Sequence, residues 1–558
     1  MNPTQLLQVW VRRTDLDEAD DVPFTDTNPS ERVHAFKRKV LAAWGLLQHE
    51  SSTTLRCAQL ESTPAVRLNP RDTLWNAGVR HDSVLLLDWL EQKPKQAAEI
   101  PAVLGLSPSS LCDVEVWKRL QFPAEAGLPP FACFRPQVAP PHSLPAVLLT
   151  PIFGDFLQTA AADVGSLGDC AAESAAVVRL VTLMPRCFES ELSRGRAFRE
   201  VLSDLDIRFE PRHPDSESSA CTDGSCVHAV ADAHALLGVE EDKLEPATGD
   251  PYFQGQAYYL RHWHAAERDG HASKFACHLR PALLLEVMGP MLRVSALATA
   301  PGGRVVCEPL TPMLHMFAVT GQPEYLDRLV ATLRAMRNAM RALRLHYISA
   351  AAVAASAPAP QPAPALLLPF PLRDGARFAH VMPLLPGKLL YEATLIGEPL
   401  ERRVCVKLTP RYGPNVHALW AAAGLAPALH TCEPIHGGGP WRLVVMELLA
   451  PPTWRPLPDL PLAERPAAAA AAVQALRAAH TVGSTRCVHG DARGVNVLVA
   501  RGSDDGWHVR FVDFDWSGEE GVAVYPTLMS TAIQWAPGAR PGLPMLQEHD
   551  TFLLAREE

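Results

Sequence analysis

The pattern of apolar and polar residues at the N-terminal end predicts a small α+β domain. Residues 6–13 (LLQVWVRR) alternate between apolar and polar side chains, which is the period of a half-buried β-strand. Residues 28–46 place apolar side chains on one face of a helix, between a Ser that can cap its start and a Gly that can stop it. Residues 83–89 (SVLLLDW) then form a closing apolar strand. We therefore expect a separate unit over residues 1–95.

The rest of the chain divides at a stretch rich in Pro and Ala. Residues 349–374 have this composition, which is typical of a stiff, extended linker. They separate a middle region, residues 110–348, from a C-terminal region, residues 375–558. Three apolar runs between residues 282 and 310 predict a small antiparallel meander in the middle region.

Composition and charge narrow the class of protein. The chain has 558 residues, 47% of them hydrophobic and 20% charged, so it is globular and too long for one core. A net charge of -10 argues against wholesale attraction to nucleic acid or membranes, although a local basic groove stays compatible with it. The start has no secretory pattern, no uncharged apolar run reaches 18 residues, and the 12 cysteines are scattered. We expect an intracellular protein that does not span a membrane.

A β-hairpin near the C-terminus carries the strongest chemical signal. The apolar runs 497–499 and 508–512 flank an Asp-Asp-Gly turn, which favours a hairpin. Folding the hairpin brings Asp491, Asn496 and Asp513 to one end. Two carboxylates and an amide suit a hard cation such as magnesium. The alternative is a hairpin whose flanking carboxylates have no chemical role.

The residues around this hairpin resemble the catalytic segments of protein-kinase-like phosphotransferases. Residues 489–496 (HGDARGVN) match the HxDxxxxN loop, and residues 513–515 (DFD) stand where the DFG triplet would be. The resemblance implies that Asp491 accepts the proton of the substrate hydroxyl and that Arg493 contacts the transferred phosphate. It also implies that Asn496 and Asp513 are magnesium ligands.

Two upstream strands extend the resemblance. The strand at 402–410 carries Lys407, which would pair with nucleotide phosphates, and a second strand leads through Met446-Glu447 into a connector beside the nucleotide. The resemblance implies ATP and magnesium as cofactors and a protein Ser/Thr hydroxyl as acceptor. The sequence departs from the pattern in four respects: no GxGxxG precedes Lys407, no acid occurs in the following helix, there is no APE triplet, and Gly490 replaces Arg. The missing acid leaves a catalytically silent pseudokinase open.

The same segments are similar to a divergent kinase-like family of plants, algae and fungi. Residues 489–499, 511–526 and 535–554 carry the similarity, which implies that His549-Asp550 is a structural carboxylate site. Some members have a Crinkler-type, ubiquitin-like header, and residues 1–95 resemble that β-grasp fold; any small α+β cap is the alternative. The resemblance also implies a nuclease-like domain ahead of the kinase-like one.

The middle region contains a pattern that resembles a restriction-endonuclease-like core. Asp223 follows a turn into one strand, and Glu241 and Lys243 end the next apolar run. In such cores, carboxylates on adjacent strands bind magnesium and the Lys positions the attacking water. Other residues that fit the pattern are Gln254, Tyr258 and Glu191. The alternative is a retained fold with solvated charges.

Taken together, these expectations describe an α+β multidomain protein: a β-grasp header, a restriction-endonuclease-like α/β middle domain, and a two-lobed protein-kinase-like domain. The expected function is ATP- and magnesium-dependent phosphoryl transfer to a protein that the sequence does not identify. The second hypothesis is a pseudokinase or nuclease-like interaction protein of the Crinkler or mobile-element type, acting on or near nucleic acid.

Overall fold

The chain has a mixed α+β architecture that divides into two compact units, residues 1–96 and 97–558. The computed structural model describes short segments and single residues before residue 144, and then residues 144–212, 221–230, 233–245, 250–275, 278–300, 303–322, 324–356, 368–373, 375–385, 388–397, 402–502 and 506–556. Within these residues, no helix combines the length and the apolar character needed to cross a membrane.

The first unit contains one five-stranded sheet. Its strands are β1 (Leu7–Arg13), β2 (Val22–Thr27), β3 (Thr53–Cys57), β4 (Val66–Arg67) and β5 (Ser83–Trp89). Their order is β2-β1-β5-β3-β4, with β1 parallel to β5 and the other pairs antiparallel. The two predicted strands, at residues 6–13 and 83–89, are therefore present and adjacent. Phe36 is helical and fully buried, while the rest of the predicted helix over residues 28–46 lies outside the described residues.

The middle region is built on an eight-stranded mixed sheet. Its strands are β6 (Phe131–Ala132), β7 (Glu210–Arg212), β8 (Thr222–Val230), β9 (Ala233–Lys243), β10 (Ala282–Met288), β11 (Met291–Ala300), β12 (Arg304–Pro309) and β13 (Leu314–His315). The order is β6-β12-β11-β10-β9-β8-β7, and β13 pairs with β11. The predicted meander is confirmed, since β10, β11 and β12 are consecutive antiparallel neighbours.

Helices cover both faces of this sheet. They are α1 (Ala146–Leu149), α2 (Pro151–Ala160), α3 (Ala171–Leu183), α4 (Glu191–Ser203), α5 (Pro251–Arg268) and α6 (Glu324–Ser356). The strands β9 and β10 are parallel, so the chain must cross over between them, and α5 makes this connection. The Asp250 side chain caps α5 by accepting a hydrogen bond from the backbone N–H of Tyr252 at 3.0 Å.

The helix α6 runs further than the sequence pattern predicts. A linker was expected from residue 349, but α6 continues to Ser356. Alanine, which dominates residues 350–355, is the strongest helix former, and Ala350 is buried in the core. The Ala-rich beginning of the predicted linker is therefore helix, and residues 357–367 lie outside the described residues.

The C-terminal region begins with a five-stranded antiparallel sheet. Its strands are β14 (Phe378–Pro383), β15 (Leu390–Leu395), β16 (Arg402–Thr409), β17 (Leu429–Pro434) and β18 (Arg442–Glu447). Their order is β14-β15-β16-β18-β17, and α7 (Pro414–Ala422) follows β16. This sheet carries Lys407 on its central strand.

The chain then continues into a part with two α-helices and five short strands among its described residues. Its elements are β19 (Arg455–Pro456), α8 (Arg465–Ala479), β20 (Cys487–Val488), β21 (Val497–Arg501), β22 (Trp507–Phe511), β23 (Gly518–Glu519) and α9 (Gln547–Ala555). The predicted hairpin is confirmed, because β21 and β22 pair antiparallel with Val497 opposite Phe511.

Candidate functional site

The open end of the β21–β22 hairpin brings Asp491, Asn496 and Asp513 together. The backbone carbonyl of Asn496 accepts a hydrogen bond from the N–H of Val512 at 3.0 Å, one residue before Asp513. The Asn496 amide nitrogen donates to the Asp491 carboxylate at 2.8 Å and to the Asp491 backbone carbonyl at 2.9 Å. Asn496 is therefore hydrogen-bonded to Asp491, and Asp513 directly follows the residue whose backbone bonds to Asn496.

The loop that presents Asp491 is held by a buried carboxylate of α9. Asp550, which is fully buried, accepts hydrogen bonds from the backbone N–H groups of His489 at 2.7 Å and Gly490 at 2.8 Å. Gly490 has a φ of +82°, and a Cβ atom there would lie 2.6 Å from the sulfur of Met545. Only glycine therefore fits this position without strain. This packing explains why Gly490 stands where the kinase pattern has Arg.

Both oxygens of the Asp491 carboxylate accept hydrogen bonds. Arg493 donates to its two oxygens at 2.6 Å and 2.7 Å, a bidentate arrangement that fixes both groups. Asp491 is nearly buried, whereas Arg493 is about one-third exposed. The guanidinium thus covers the carboxylate from the solvent side and compensates its charge.

Lys407 is held by two carboxylates from the segment after β22. Its ammonium contacts Asp513 and lies 2.6 Å from an oxygen of Asp515, whose other oxygen accepts from the Thr409 hydroxyl at 3.2 Å. The helix α7 supplies no acid to Lys407, and Asp515 pairs with it instead. Sequence reasoning did not assign Asp515, although the alternation of Lys407 and Thr409 on one face of β16 was a usable signal.

The charges of Lys407, Asp513 and Asp515 shift one another's pKa values. Burial disfavours the ammonium, but the carboxylates of Asp513 and Asp515 outweigh that effect and raise the pKa of Lys407. Burial also acts on Asp513, yet the Lys407 charge dominates and lowers its pKa. For Asp515 burial dominates, and its pKa is raised in spite of Lys407. The Lys407–Asp513 pair is therefore ionised around neutral pH.

An aromatic stack fixes the backbone between these two acids. Phe514 is fully buried and lies parallel to the ring of His417 on α7, with 4.5 Å between ring centroids, while the ring of His489 lies 5.0 Å from it. Asp513 itself adopts a φ of +72°. This rare backbone conformation persists because the surrounding packing holds it.

The predicted nucleotide-binding connector lies at the end of β18. Met446 is buried, and the backbone N–H of Glu447 donates to the carbonyl of Ala428 at 2.8 Å. The Glu447 carboxylate accepts a hydrogen bond from the N–H of Ala428 at 3.0 Å. Glu447 therefore fastens the start of the connector to the residue that precedes β17.

The side chains of Asp513 and Asn496 are of the chemical type that binds magnesium together with a phosphate ligand. In the described part of the chain, no group of three or more His, Cys, Asp or Glu side chains is arranged to hold a metal ion. Magnesium in nucleotide sites usually takes one or two carboxylates and completes its shell with phosphate oxygens and waters. Asp513 and the amide of Asn496 supply that smaller set.

A second polar cluster lies in the middle region. Gly224 on β8 is opposite Glu240 on β9, so Asp223 is next to Glu241, and Lys243 shares the face of Glu241. The Asp223 carboxylate accepts from the backbone N–H of Asp242 at 2.8 Å, and the Lys243 ammonium donates to the Asp242 carbonyl at 2.8 Å.

Glu241 is a deeply buried acid of this cluster. It is 2% exposed, and its Oε1 atom has no hydrogen-bond partner within the described residues. Burial, reinforced by the charge of Asp223, raises its pKa well above the ordinary value. Gln254 and Tyr258 lie on α5, which packs on β9, and Glu191 accepts a hydrogen bond from the N–H of Leu244 at 3.4 Å.

The opposite face of β9 holds an acid pair that the sequence analysis did not single out. Glu240 and Asp242 are at most 1% exposed, and Arg199 of α4 lies 3.3 Å and 3.4 Å from them. One guanidinium cannot balance two buried carboxylates. Burial and the charge of Asp223 raise the pKa of Asp242 to about 7, and burial and the charge of Asp242 raise the pKa of Glu240.

This pair predicts that stability falls as pH rises. An acid whose pKa is raised on folding favours its protonated form, so the free energy of unfolding should decrease between about pH 4 and pH 7, at up to about 1.4 kcal/mol per pH unit. In thermal melts, Asp242→Asn should therefore gain stability relative to the parent as pH rises from 5 to 8. The exposed Asp269→Asn is the control, and a parent–variant difference that does not change with pH would contradict the assignment.

Comparisons with known proteins give no family assignment. No family model matches the chain, and no curated protein matches it. Among solved structures, it is similar to the C-terminal ubiquitin-like domain of mouse tubulin-specific chaperone e, with 16% identity over 16% of this chain and 91% of that chain, and a TM-score of 0.14. It is also similar to the Cydia pomonella granulovirus kinase PK-1, with 21% identity over 24% of this chain and 48% of that kinase, and a TM-score of 0.19. The chain thus spans about half of that kinase, and both likenesses concern fold alone.

Proposed function

We propose that residues 375–558 are a protein-kinase-like phosphotransferase that uses ATP and magnesium and acts on a protein Ser/Thr hydroxyl. The observation that supports this most is that Asn496 bonds to Asp491 and to the backbone of Val512, while the next residue, Asp513, contacts Lys407. Phosphoryl transfer requires little covalent chemistry from the protein; it needs a positioned hydroxyl and compensation of the phosphate charge. These side chains supply both.

Each residue has a distinct task in this proposal. When bound, magnesium would neutralise charge on the phosphate oxygens. Asp513 and Asn496 would hold the ion, and Lys407 would contact the nucleotide phosphates while Asp515 keeps it in place. Asp491 would accept the proton of the attacking hydroxyl. Arg493, which covers Asp491 in the structure, would turn to the transferred phosphate.

The pairing of Lys407 with Asp515 favours an active enzyme over a pseudokinase. A lysine without an acidic partner would be poorly oriented, and Asp515 lies 2.6 Å from its ammonium. A titration of the full chain with a fluorescent ATP analogue, with and without magnesium, tests the proposal. We expect tighter binding with magnesium and phosphate incorporation into Ser/Thr peptides. Binding that ignores magnesium would contradict it.

A second candidate function concerns the middle region. Asp223, Glu241 and Lys243 share one sheet face, which supports a restriction-endonuclease-like site acting on nucleic acid. The strand order β2-β1-β5-β3-β4 supports a β-grasp header. A Crinkler-type or mobile-element-type protein would combine these parts. In that case the phosphotransferase site would be an accessory or a silent module.

Thermal melts of the full chain test the middle site. A divalent ion that binds only the folded state stabilises it by RT ln(1 + [L]/Kd), and it would relieve the repulsion between Asp223 and Glu241. The melts should use an Asp513→Asn background, so that the C-terminal site does not contribute. We expect millimolar manganese or magnesium to raise the melting temperature, and Asp223→Asn to remove this increase. If metal leaves the melting temperature unchanged, the middle region has no metal site and serves only as a scaffold.

A further inference from the structure

The two faces of the β14–β18 sheet belong to different hydrophobic cores. Along β16, Val404, Val406 and Leu408 lie in one core, while Cys405 lies in another. On β18, Leu443 and Val445 belong to the first core and their alternating neighbours to the second. Because side chains alternate across a strand, Lys407 lies on the face of Cys405. We call the opposite face, formed by Val404, Val406, Leu408, Leu443 and Val445, the back face.

The core behind the back face is shared with the middle region. It is continuous with buried side chains of the middle helices and the eight-stranded sheet, among them Phe153, Phe156, Leu333, Met336, Leu343 and Tyr347. Val404, Val406 and Val445 are fully buried there. If the middle region were removed, a contiguous apolar sheet surface would face water, which soluble domains avoid.

Glycines make a close contact between the two regions. Gly154 of α2 lies against the turn between β17 and β18, where an added Cβ would overlap the carbonyl oxygen of Gly437 and come within 2.8 Å of the Gly439 nitrogen. A Cβ on Gly437 would in turn overlap the ring of Pro151. Backbone therefore packs against backbone at this contact, and no other residue fits at Gly154.

The approach to the sheet is fixed by a second contact. The Arg373 guanidinium, which precedes β14, donates to the carbonyl of Leu149 at 2.7 Å, and its Nε donates to the carbonyl of Leu368 at 2.6 Å. The connection to the C-terminal region is thereby fastened to the end of α1. The two regions are joined by packing as well as by the peptide chain.

We propose that the middle region is a permanent brace of the C-terminal region, and that Gly154 is a positioning residue for the nucleotide site. The turn that contacts Gly154 leads directly into β18, which ends at Met446 and Glu447. The back face supports β16, which carries Lys407. A change at Gly154 should therefore shift both β16 at Lys407 and the end of β18 at Met446 and Glu447. Only the nucleotide part of this proposal rests on the proposed function.

Cleavage of the full chain between the two regions tests the brace. A protease recognition sequence replaces residues 359–364, and the cut protein is analysed by size-exclusion chromatography at low concentration. We expect the two fragments to co-elute without denaturant. Fragments that separate would overturn the proposal, and this result stands by itself even if a variant fails to fold.

Matched variants then localise the contact. Gly154→Leu overpacks the glycine contact and should weaken fragment association about 10- to 100-fold, whereas Gln158→Leu adds the same side chain on the exposed side of α2 and should not. The affinity for magnesium–ATP should fall with Gly154→Leu alone. Equal association in both variants would overturn the role of Gly154. A parent that associates but never binds nucleotide would refute the proposed function and leave the brace intact.

Discussion

Replacing Asp491 by alanine is expected to reduce phosphoryl transfer by roughly 10³-fold while nucleotide affinity stays within a few-fold of the parent. In the proposed mechanism Asp491 accepts the hydroxyl proton, a role that matters only in the transition state. Its carboxylate contacts Arg493 and Asn496 rather than Lys407. The measurement is steady-state transfer to a Ser/Thr peptide, together with a titration of a fluorescent ATP analogue in magnesium.

Comparing Asp513→Ala with Asp491→Ala separates the role of metal ligand from the role of base. Asp513→Ala should lose the magnesium-dependent part of nucleotide binding, because Asp513 is the only carboxylate assigned to the ion. The exposed Asp459→Ala serves as a control for removing an acid from the same region. If Asp491→Ala and Asp513→Ala lowered nucleotide affinity equally, the division into base and metal ligand would be wrong.

Replacing Asp515 by asparagine is expected to raise the magnesium concentration needed for half-maximal activity. In the structure Lys407 contacts both Asp513 and Asp515. When Asp513 turns to the ion, Asp515 can retain Lys407; without Asp515, the ion and the lysine compete for one carboxylate. A hydrogen bond to a charged group contributes about 1.5–3 kcal/mol, so we expect a shift of about 10- to 100-fold.

The dependence on magnesium distinguishes positioning from general damage. A purely structural defect would lower the maximal rate at every magnesium concentration, whereas the Asp515→Asn defect should be relieved at high magnesium. Thr409→Val, which removes the 3.2 Å hydrogen bond to Asp515 together with the hydrogen bonds of the hydroxyl to the backbone of Arg411, should show a smaller shift in the same direction. If magnesium titrations of the parent and Asp515→Asn coincide, Lys407 does not depend on Asp515.

Local sequence determined the parts of the site that lie close together in the chain. The strand pattern on either side of the Asp-Asp-Gly turn fixed the register of β21 and β22, and the register places Asn496 beside Asp513. Since Asp491 is only five residues before Asn496, its position followed as well. Alternation likewise determined which face of β9 carries Glu241 and Lys243.

Only the tertiary structure decided what depends on distant contacts. The acid that holds Lys407 comes from a segment 108 residues away, and the carboxylate that pins Gly490 from one 60 residues away. Composition marked residues 349–374 as a separator, but the back-face core joined the regions on either side of it. Periodicity along the chain reports which side chains share a face. Which surface covers that face is settled only when the whole chain packs.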